Sequence, residues 1–261
     1  MAPDDGPPDG PGEHYFSARP KVPHDRRELR FLYRGELLIF EVDAGVFAAH
    51  GLDPGTALLI ESLDPRPTDR VLDLGCGWGA IGVAAARQAR DGSVVLTDVN
   101  RRAVALARGN LARNRVSNAE VRAGPLFAPV GDERFDVIAT NPPFHAGRET
   151  VLRLLSEAPG HLAPGGRLLL VGKGSQGIRY YQAWLEKEFP GPVTVRGRGS
   201  GYRVLEARTA PPAAPGPAEA VRSARRPKPL KAGSISAAAP DRGGGPKRPR
   251  RSPIARAGRT P

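Results

Sequence analysis

Apolar runs of strand length alternate with segments of helical spacing along most of the chain. The runs, each typical of a buried strand, are residues 71–74, 94–98, 135–140 and 167–172. Helices are predicted for residues 80–90, 100–114, 148–162 and 178–189, and hairpins for residues 28–43 and 193–208. Pro159 and Gly160 should end the third helix early. Strands that alternate with helices in this way predict a mostly parallel sheet that is covered on both faces.

A dense glycine loop follows the first of these runs. Gly75, Gly77 and Gly79 stand between the predicted strand and a predicted helix. Glycine is required where the backbone turns sharply and approaches a ligand closely, and the helix offers free N–H groups at its start. Asp73, at the tip of the strand, would repel a pyrophosphate. It suits a cationic ligand instead, such as the ammonium group of an amino acid.

An acidic residue closes the next predicted strand. Asp98 follows the glycine loop by roughly 20 residues, which is the spacing at which an acid binds ribose hydroxyls. Alternatively, Asp98 merely begins the next helix, which Asn100 can equally cap. Gly77, Gly79 and Gly82 also match the G-x-G-x-x-G pattern of nicotinamide dinucleotide folds. Because this loop is denser in glycine than that pattern, we rank a nicotinamide dinucleotide site below a site for a ligand with a cationic amino acid part.

The run at residues 135–140 ends in the most informative motif of the chain, Asn141-Pro142-Pro143-Phe144. In open α/β sheets, the C-terminal ends of the strands form the edge at which ligands bind. Each proline locks its own φ and removes a backbone donor, so the turn is stiff. It presents carbonyl oxygens and the Asn141 amide beside the flat apolar face of Phe144. This combination predicts a receptor for a planar group that carries an NH2.

Together, the D-x-G-x-G-x-G loop, the strand-end acid and the N-P-P-F turn resemble the class I S-adenosylmethionine (SAM)-dependent methyltransferases. The similarity covers residues 14–208 and extends to the branch related to small-subunit ribosomal RNA guanine-N2 methyltransferases. That part of the resemblance is carried by residues 14–16, 43–47, 51–53, 55–56, 135–147, 162–167 and 201–205. It implies a Rossmann-like class I methyltransferase fold, with a mostly parallel seven-stranded sheet, helices on both faces and an antiparallel C-terminal hairpin.

The resemblance also assigns a site. It implies SAM as the cofactor, held by Asp73, Gly75, Cys76, Gly77, Gly79, Asp98, Val99 and Asn141. It implies that the amine to be methylated is bound by the catalytic turn, which is Asn141, Pro142, Pro143 and Phe144. Further candidates for the same pocket are Val46, Phe47, Trp78 and His145. A plain core role is the favoured alternative for Trp78, and a surface-loop position is an equal alternative for His145. No metal is expected to take part.

Two features depart from the family pattern. Members often carry an acid in the loop after the third strand, where it contacts the adenine amino group. Pro125 stands at that place in this sequence, and a backbone carbonyl can substitute for the acid. The best-known ribosomal RNA members also have two similar tandem domains, whereas we expect one catalytic domain in this chain.

Most of the net charge lies at one end of the chain. Residues 209–261 hold twelve Lys and Arg against Glu219 and Asp241, which accounts for ten of the twelve net positive charges. This Pro-, Ala-, Gly- and Arg-rich segment cannot bury enough apolar surface to fold. We therefore expect a disordered N-terminus (1–12), a methyltransferase domain (13–208) and a disordered basic tail (209–261). A flexible polycation binds RNA without sequence preference; a merely solvated extension is the alternative.

Cysteine usage and hydropathy exclude several classes of protein. Cys76 is the only cysteine, so disulfides within the chain and cysteine-rich zinc or iron–sulfur sites are excluded. Methylation of pyrimidine C5 through a cysteine adduct is excluded too, because this cysteine lies in the glycine loop. No run reaches the ~18 apolar residues needed to span a membrane, and the N-terminus lacks an export pattern. A cytoplasmic enzyme is expected.

The predicted function is SAM-dependent methylation of an exocyclic amine. Guanine N2 of ribosomal RNA is the favoured acceptor, and RNA or a ribosomal subunit is the expected partner. Glutamine N5-methyltransferases of proteins share the N-P-P turn, usually with Tyr as the aromatic residue; Phe144 and the basic tail favour RNA over this alternative. A non-catalytic SAM- or RNA-binding assembly factor is the other alternative, and the intact turn argues against it.

Overall fold

The structure, a computed structural model, describes Pro20, residues 22–49 and residues 51–211. The predicted N-terminal segment 1–12, the motif at residues 14–16, and all of the predicted tail 209–261 except residues 209–211 lie outside the described residues. The strands are β1 (Arg27–Tyr33), β2 (Glu36–Val42), β3 (Arg70–Leu74), β4 (Ser93–Asp98), β5 (Ala119–Ala123), β6 (Phe135–Thr140), β7 (Leu162–Lys173), β8 (Val193–Gly199) and β9 (Tyr202–Arg208). The α-helices are α1 (Pro54–Ser62), α2 (Ala80–Gln88), α3 (Arg101–Arg113), α4 (Arg148–Glu157) and α5 (Ile178–Glu188).

Seven of the strands form one sheet in the order β5-β4-β3-β6-β7-β9-β8. The pairs from β5 to β7 are parallel, whereas β9 runs antiparallel to both β7 and β8. The predicted mostly parallel sheet with an antiparallel C-terminal hairpin is therefore confirmed. The chain leaves β3 toward β4 on one side and returns to β6 on the other, so the strand order reverses between β3 and β6. Open α/β sheets bind ligands at such a point.

Helices cover both faces of this sheet, as predicted. Successive residues of a strand point to opposite faces, so Val71 of β3 packs in one apolar cluster and Leu72 in the other. The first cluster includes side chains of α1, α2, α3 and the β1–β2 hairpin. The second includes side chains of α4 and α5. The core thus consists of two layers, one on each face of the sheet.

The β1–β2 hairpin turns at Arg34-Gly35, as predicted, and lies against α3 rather than in the main sheet. Two buried asparagines, one within α3 and one at its C-cap, satisfy the outer backbone groups of β2. Asn114 Oδ1 accepts from Ile39 N at 2.9 Å, and Asn110 Oδ1 accepts from Glu41 N at 2.7 Å. These side chains fasten the hairpin to α3, which packs against β4 and β5. Within the part of the chain that the structure describes, no helix is long and apolar enough to cross a membrane.

The local sequence predicts the end of α4 correctly but not the start of β7. Helix α4 ends at Glu157, as the proline two residues later predicts, and a 3₁₀ turn follows. Strand β7 begins at Leu162, ahead of the predicted start at Arg167, and its register against β6 is irregular. The register against β6 passes from Leu162 directly to Arg167, and Gly165 has a φ of 77°, so residues 163–166 form a bulge within β7.

Helix α1 is not among the predicted elements. Its start carries the ordinary signal, an Asp followed by Pro at the first helical position. Asp53 is the N-cap, and its side chain accepts from Thr56 N at 2.9 Å. The helix contacts the strands β7, β8 and β9. Its buried apolar side chains belong to the same core cluster as those of the β1–β2 hairpin.

Candidate active site

The C-terminal ends of β3, β4 and β6 border a cavity of about 250 Å³. The predicted site residues that line it are Gly75, Cys76, Gly77, Asp98, Val99, Asn141, Pro142, Pro143 and Phe144. The further candidates Val46, Phe47, Trp78 and His145 line it as well, and so does Pro125. Asp73 and Gly79 lie outside its wall. The structure therefore brings the glycine loop, the strand-end acid and the N-P-P-F turn to the same cavity, at the point where the strand order reverses.

The glycine loop turns sharply above the end of β4. Gly75, Gly77 and Gly79 have φ values of 75°, 54° and 91°, a conformation that side chains other than glycine rarely adopt. The N–H groups of Gly75 and Cys76 both donate to the Thr97 carbonyl oxygen, each at 2.9 Å. Gly79 is the N-cap of α2. The loop therefore exposes backbone to the cavity before the helix begins.

Asp98 fastens this loop from the neighbouring strand. Its Oδ2 accepts from Gly77 N at 2.8 Å, and its Oδ1 accepts from Asn100 N at 2.8 Å. Burial raises the pKa of Asp98, although these backbone donors act in the opposite direction. Asn100 is the N-cap of α3. Asn100 rather than Asp98 therefore caps the helix, and the contact of Asp98 with ribose hydroxyls stays a prediction.

Asp73 is fully buried below the loop. Its Oδ2 accepts from Gly82 N at 2.8 Å, which ties α2 to β3. Its Oδ1 has no hydrogen-bond partner among the described residues. Burial, together with the nearby charge of Asp98, raises the pKa of Asp73 to about 8. Since Asp73 does not line the cavity, its contact with a cofactor ammonium group stays a prediction.

Cys76 lines the cavity but is a poor nucleophile. Burial, and then the charges of Asp98 and Asp73, raise the pKa of its thiol well above the ordinary value. A thiol must lose its proton before it attacks carbon. The environment of Cys76 therefore opposes chemistry through a cysteine adduct.

The N-P-P-F turn leaves β6 on the opposite side of the cavity. Phe144 N donates to the Pro142 carbonyl oxygen at 2.8 Å, and Ala146 N donates to the Pro143 carbonyl oxygen at 2.9 Å. A carbonyl oxygen has two lone pairs, so the Pro142 carbonyl can still accept from a ligand. The Phe144 ring lies 5.7 Å from the ring of Tyr181, between centroids, and the two planes are tilted by 45°.

The Asn141 side chain is held by two acceptors. Its Nδ2 donates to Thr56 Oγ1 at 3.0 Å and to Asp53 Oδ2 at 3.2 Å. An ionised carboxylate can only accept, so the amide nitrogen must face Asp53 and the carbonyl oxygen must face away. None of the described residues donates to that oxygen. Asp53 and Thr56 belong to the stretches that carry the family resemblance, but the resemblance assigns them no role. The only local signal at these residues is that of a helix start.

Comparison with known proteins gives the family. Residues 37–206 match the model of the methyltransferase small domain. The chain belongs to this methyltransferase family. The YbxB protein of Bacillus subtilis is 34% identical to this methyltransferase over 198 residues, which are 75% of this chain and 98% of that protein. A ribosomal RNA small subunit methyltransferase C from Pseudomonas fluorescens is 39% identical over 170 residues, 63% of this chain and 49% of that protein.

A solved structure is similar as well. It is a 16S rRNA N2 methyltransferase from T. thermophilus in complex with AdoMet and guanosine, with a TM-score of 0.63 and 29% sequence identity. The match covers 73% of this chain and 52% of that one. This methyltransferase thus spans about half the length of the ribosomal RNA methyltransferases that it resembles. Family membership confirms the predicted class I fold, the enzyme class and the use of SAM; the roles of single residues stay predictions.

Proposed function

We propose that this methyltransferase transfers the methyl group of SAM to an exocyclic amine of a ribosomal RNA base, with guanine N2 as the favoured acceptor. The orientation of Asn141 carries the proposal. Its amide nitrogen is engaged by Asp53 and Thr56, so its carbonyl oxygen is the atom that can accept from an amine in the cavity.

The relatives support RNA as the acceptor. The Pseudomonas relative is named for the small-subunit ribosomal RNA, and the T. thermophilus enzyme was solved in complex with AdoMet and guanosine. Phe144 in the N-P-P turn agrees with this acceptor, and ten of the net positive charges lie in residues 209–261.

The residues of the cavity fit SAM. When bound, SAM supplies an electrophilic methyl group on a sulfonium. The backbone of Gly75, Cys76 and Gly77 would hold its amino acid and sugar part, and the Asp98 carboxylate would accept from the ribose hydroxyls. Asp73 adds a buried carboxyl oxygen without a partner among the described residues, and a cation bound close to it would favour the ionised form of this carboxyl group.

The catalytic turn supplies what an exocyclic amine lacks. The lone pair of such an amine is delocalised into the ring, so the amine is a poor nucleophile. Hydrogen bonds to the Asn141 side-chain oxygen and the Pro142 carbonyl oxygen would favour the pyramidal, more nucleophilic geometry. They would also stabilise the positive charge that develops on nitrogen. Phe144 would lie on the base and fix its plane. The methylated ammonium is strongly acidic and loses its proton to water, so no strong general base is required.

The identity of the acceptor is tested by measuring which molecule receives the methyl group of labelled SAM. The full chain is incubated with methyl-labelled SAM and, in separate reactions, with small-subunit ribosomal RNA lacking base methylation and with release-factor protein. The labelled RNA is then digested to nucleosides. We expect label in RNA, as N2-methylguanosine. Label on glutamine of the protein would replace the proposal by the protein alternative. SAM binding without label in either acceptor would contradict catalysis on both.

A further inference from the structure

One carboxylate joins three distant parts of the fold behind the catalytic turn. Asp53, at the start of α1, accepts from Asn141 Nδ2 at 3.2 Å through Oδ2. Through Oδ1 it accepts from the Tyr202 hydroxyl at 3.1 Å. These partners lie 88 and 149 residues away along the chain. Asp53 therefore connects α1, the end of β6 and the start of β9.

A second acceptor completes the contact with Asn141. Thr56 is only 8% exposed, and its Oγ1 accepts from Asn141 Nδ2 at 3.0 Å. The amide nitrogen of Asn has two N–H groups, and the structure provides two acceptors for them. With both N–H groups engaged, rotation about the last side-chain bond of Asn141 breaks at least one hydrogen bond. The orientation of its carbonyl oxygen is thereby fixed.

Tyr202 holds Asp53 from the other side. Burial, and then the charge of Asp53, raise the pKa of the Tyr202 hydroxyl, so it stays protonated and donates. Its ring lies directly on the backbone of Gly55. A β-carbon at Gly55 would lie 2.6 Å from the ring atoms Cδ1 and Cε1, which is closer than real contacts allow. The Tyr202 ring thus has a fixed place between β9 and the first turn of α1.

We propose that Asp53 is a positioning residue of the methyltransferase, which acts with Thr56 and Tyr202 to hold the Asn141 carbonyl oxygen toward the acceptor amine. The inference rests on the proposed role of Asn141. Helix capping explains one contact of Asp53, the hydrogen bond from Thr56 N at 2.9 Å. It does not explain the hydrogen bonds with Asn141 and Tyr202, because a cap needs neither.

Asp53→Ser separates capping from positioning. Serine caps a helix about as well as aspartate, but its side chain is too short to reach Asn141 and Tyr202. Misplacing a catalytic group by about 1 Å can cost on the order of 10²-fold in rate, so we expect a kcat loss of roughly 10- to 100-fold. The affinity for S-adenosylhomocysteine and the unfolding temperature should stay near the wild-type values. Thr56→Val, which is isosteric, should also lower kcat without unfolding the protein.

Tyr202→Phe removes only the hydrogen bond to Asp53 and should lower kcat to a smaller extent. Tyr33→Phe is the matched control. The Tyr33 hydroxyl also has a hydrogen-bond partner, Gln88, but Tyr33 does not line the cavity. Its kcat should equal that of the wild type.

A double-mutant cycle decides between positioning and a separate effect. If Asp53 acts through Asn141, adding Asp53→Ser to Asn141→Ala should cause no further loss of kcat. Full additivity of the two losses would overturn the proposal, and so would wild-type kcat in both Asp53→Ser and Thr56→Val. Near-normal kcat in Asn141→Ala alone would instead overturn the proposed function, so the two failures are distinguishable.

Discussion

The Phe144 ring lies against the backbone of Gly172, a residue of β7. A β-carbon at Gly172 would lie 2.6 Å from Cζ of Phe144 and 2.9 Å from Cδ1 of Ile178. Contacts of carbon atoms at these distances do not occur without displacement of one of the groups. The absence of a side chain at Gly172 therefore allows the Phe144 ring to pack directly against the sheet.

Gly172→Ala should lower kcat by roughly 10- to 100-fold, because the added methyl group displaces Phe144 from the plane in which it would hold a base. The affinity for S-adenosylhomocysteine should stay unchanged, because the glycine loop follows β3 and is not in contact with Gly172 in β7. Gly174→Ala is the matched control, because a β-carbon there meets no atom within 4 Å. Steady-state kinetics and calorimetry measure both effects. Wild-type kcat in Gly172→Ala would show that the position of Phe144 does not matter.

Asp98→Ala should weaken the binding of both SAM and S-adenosylhomocysteine. It removes the proposed ribose acceptor and also the carboxylate that accepts from Gly77 N in the glycine loop. Calorimetry against the wild type measures the change, with the exposed Asp91→Ala as the control for loss of one acidic side chain. Unchanged affinity for both ligands would remove Asp98 from the cofactor site.

Asp73→Asn should stabilise the protein relative to the wild type, by an amount that grows as the pH rises. The pKa of Asp73 is raised to about 8 in the folded state, against about 4 when unfolded. Between these values the folded state keeps a proton that the unfolded state releases. Wild-type stability therefore falls as the pH rises through this window, by up to about 1.4 kcal/mol per pH unit for one proton. Asparagine keeps an acceptor for Gly82 N and cannot ionise.

Urea unfolding at pH 5 to 9 (a range of about 4 pH units around the Asp73 window) measures this difference. The advantage of Asp73→Asn over the wild type should grow up to a pH of about 8 and then level off. Asp136→Asn is the matched control, because Asp136 also accepts from a backbone N–H but is only half-buried. A constant difference between Asp73→Asn and the wild type at every pH would contradict a buried, protonated Asp73.

Removal of residues 212–261 should leave folding and SAM affinity intact. The described fold closes with Thr209 and Ala210, since Thr209 N donates to the Gly166 carbonyl oxygen and the Ala210 carbonyl oxygen accepts from Gly165 N. The truncation must therefore begin after Pro211. Because all twelve Lys and Arg of residues 209–261 are removed, RNA affinity should fall and its dependence on salt should flatten. An unchanged salt slope would show that the tail does not bind RNA.

The sequence was sufficient to predict those parts of the site that lie within one strand–loop–helix unit. The glycine loop between β3 and α2, Asp98 at the end of β4 and the turn after β6 each depend on neighbouring residues. Their meeting at one cavity follows from a general property, because the C-terminal ends of parallel strands share one edge of the sheet.

The hydrogen bonds that hold the Asn141 side chain could not be predicted in the same way. Its contacts with Asp53 and Thr56 join residues that are 88 and 85 positions apart, and no periodicity links them. The same holds for Gly172 under Phe144, because a glycine in a strand does not reveal which side chain lies on it. Asp73 shows a further limit, since its place at the tip of a strand does not reveal that its side chain is fully buried beneath the loop.

Asn141 is the residue on which the proposed mechanism depends most directly. The decisive measurement is kcat on small-subunit ribosomal RNA at saturating SAM for Asn141→Ala and the wild type, with S-adenosylhomocysteine affinity determined for both proteins. Loss of one preorganised hydrogen-bond partner of a developing charge typically costs ~10²–10³ in kcat, so we expect a fall of that size with little change in affinity. Near-normal kcat in Asn141→Ala would contradict the proposed mechanism.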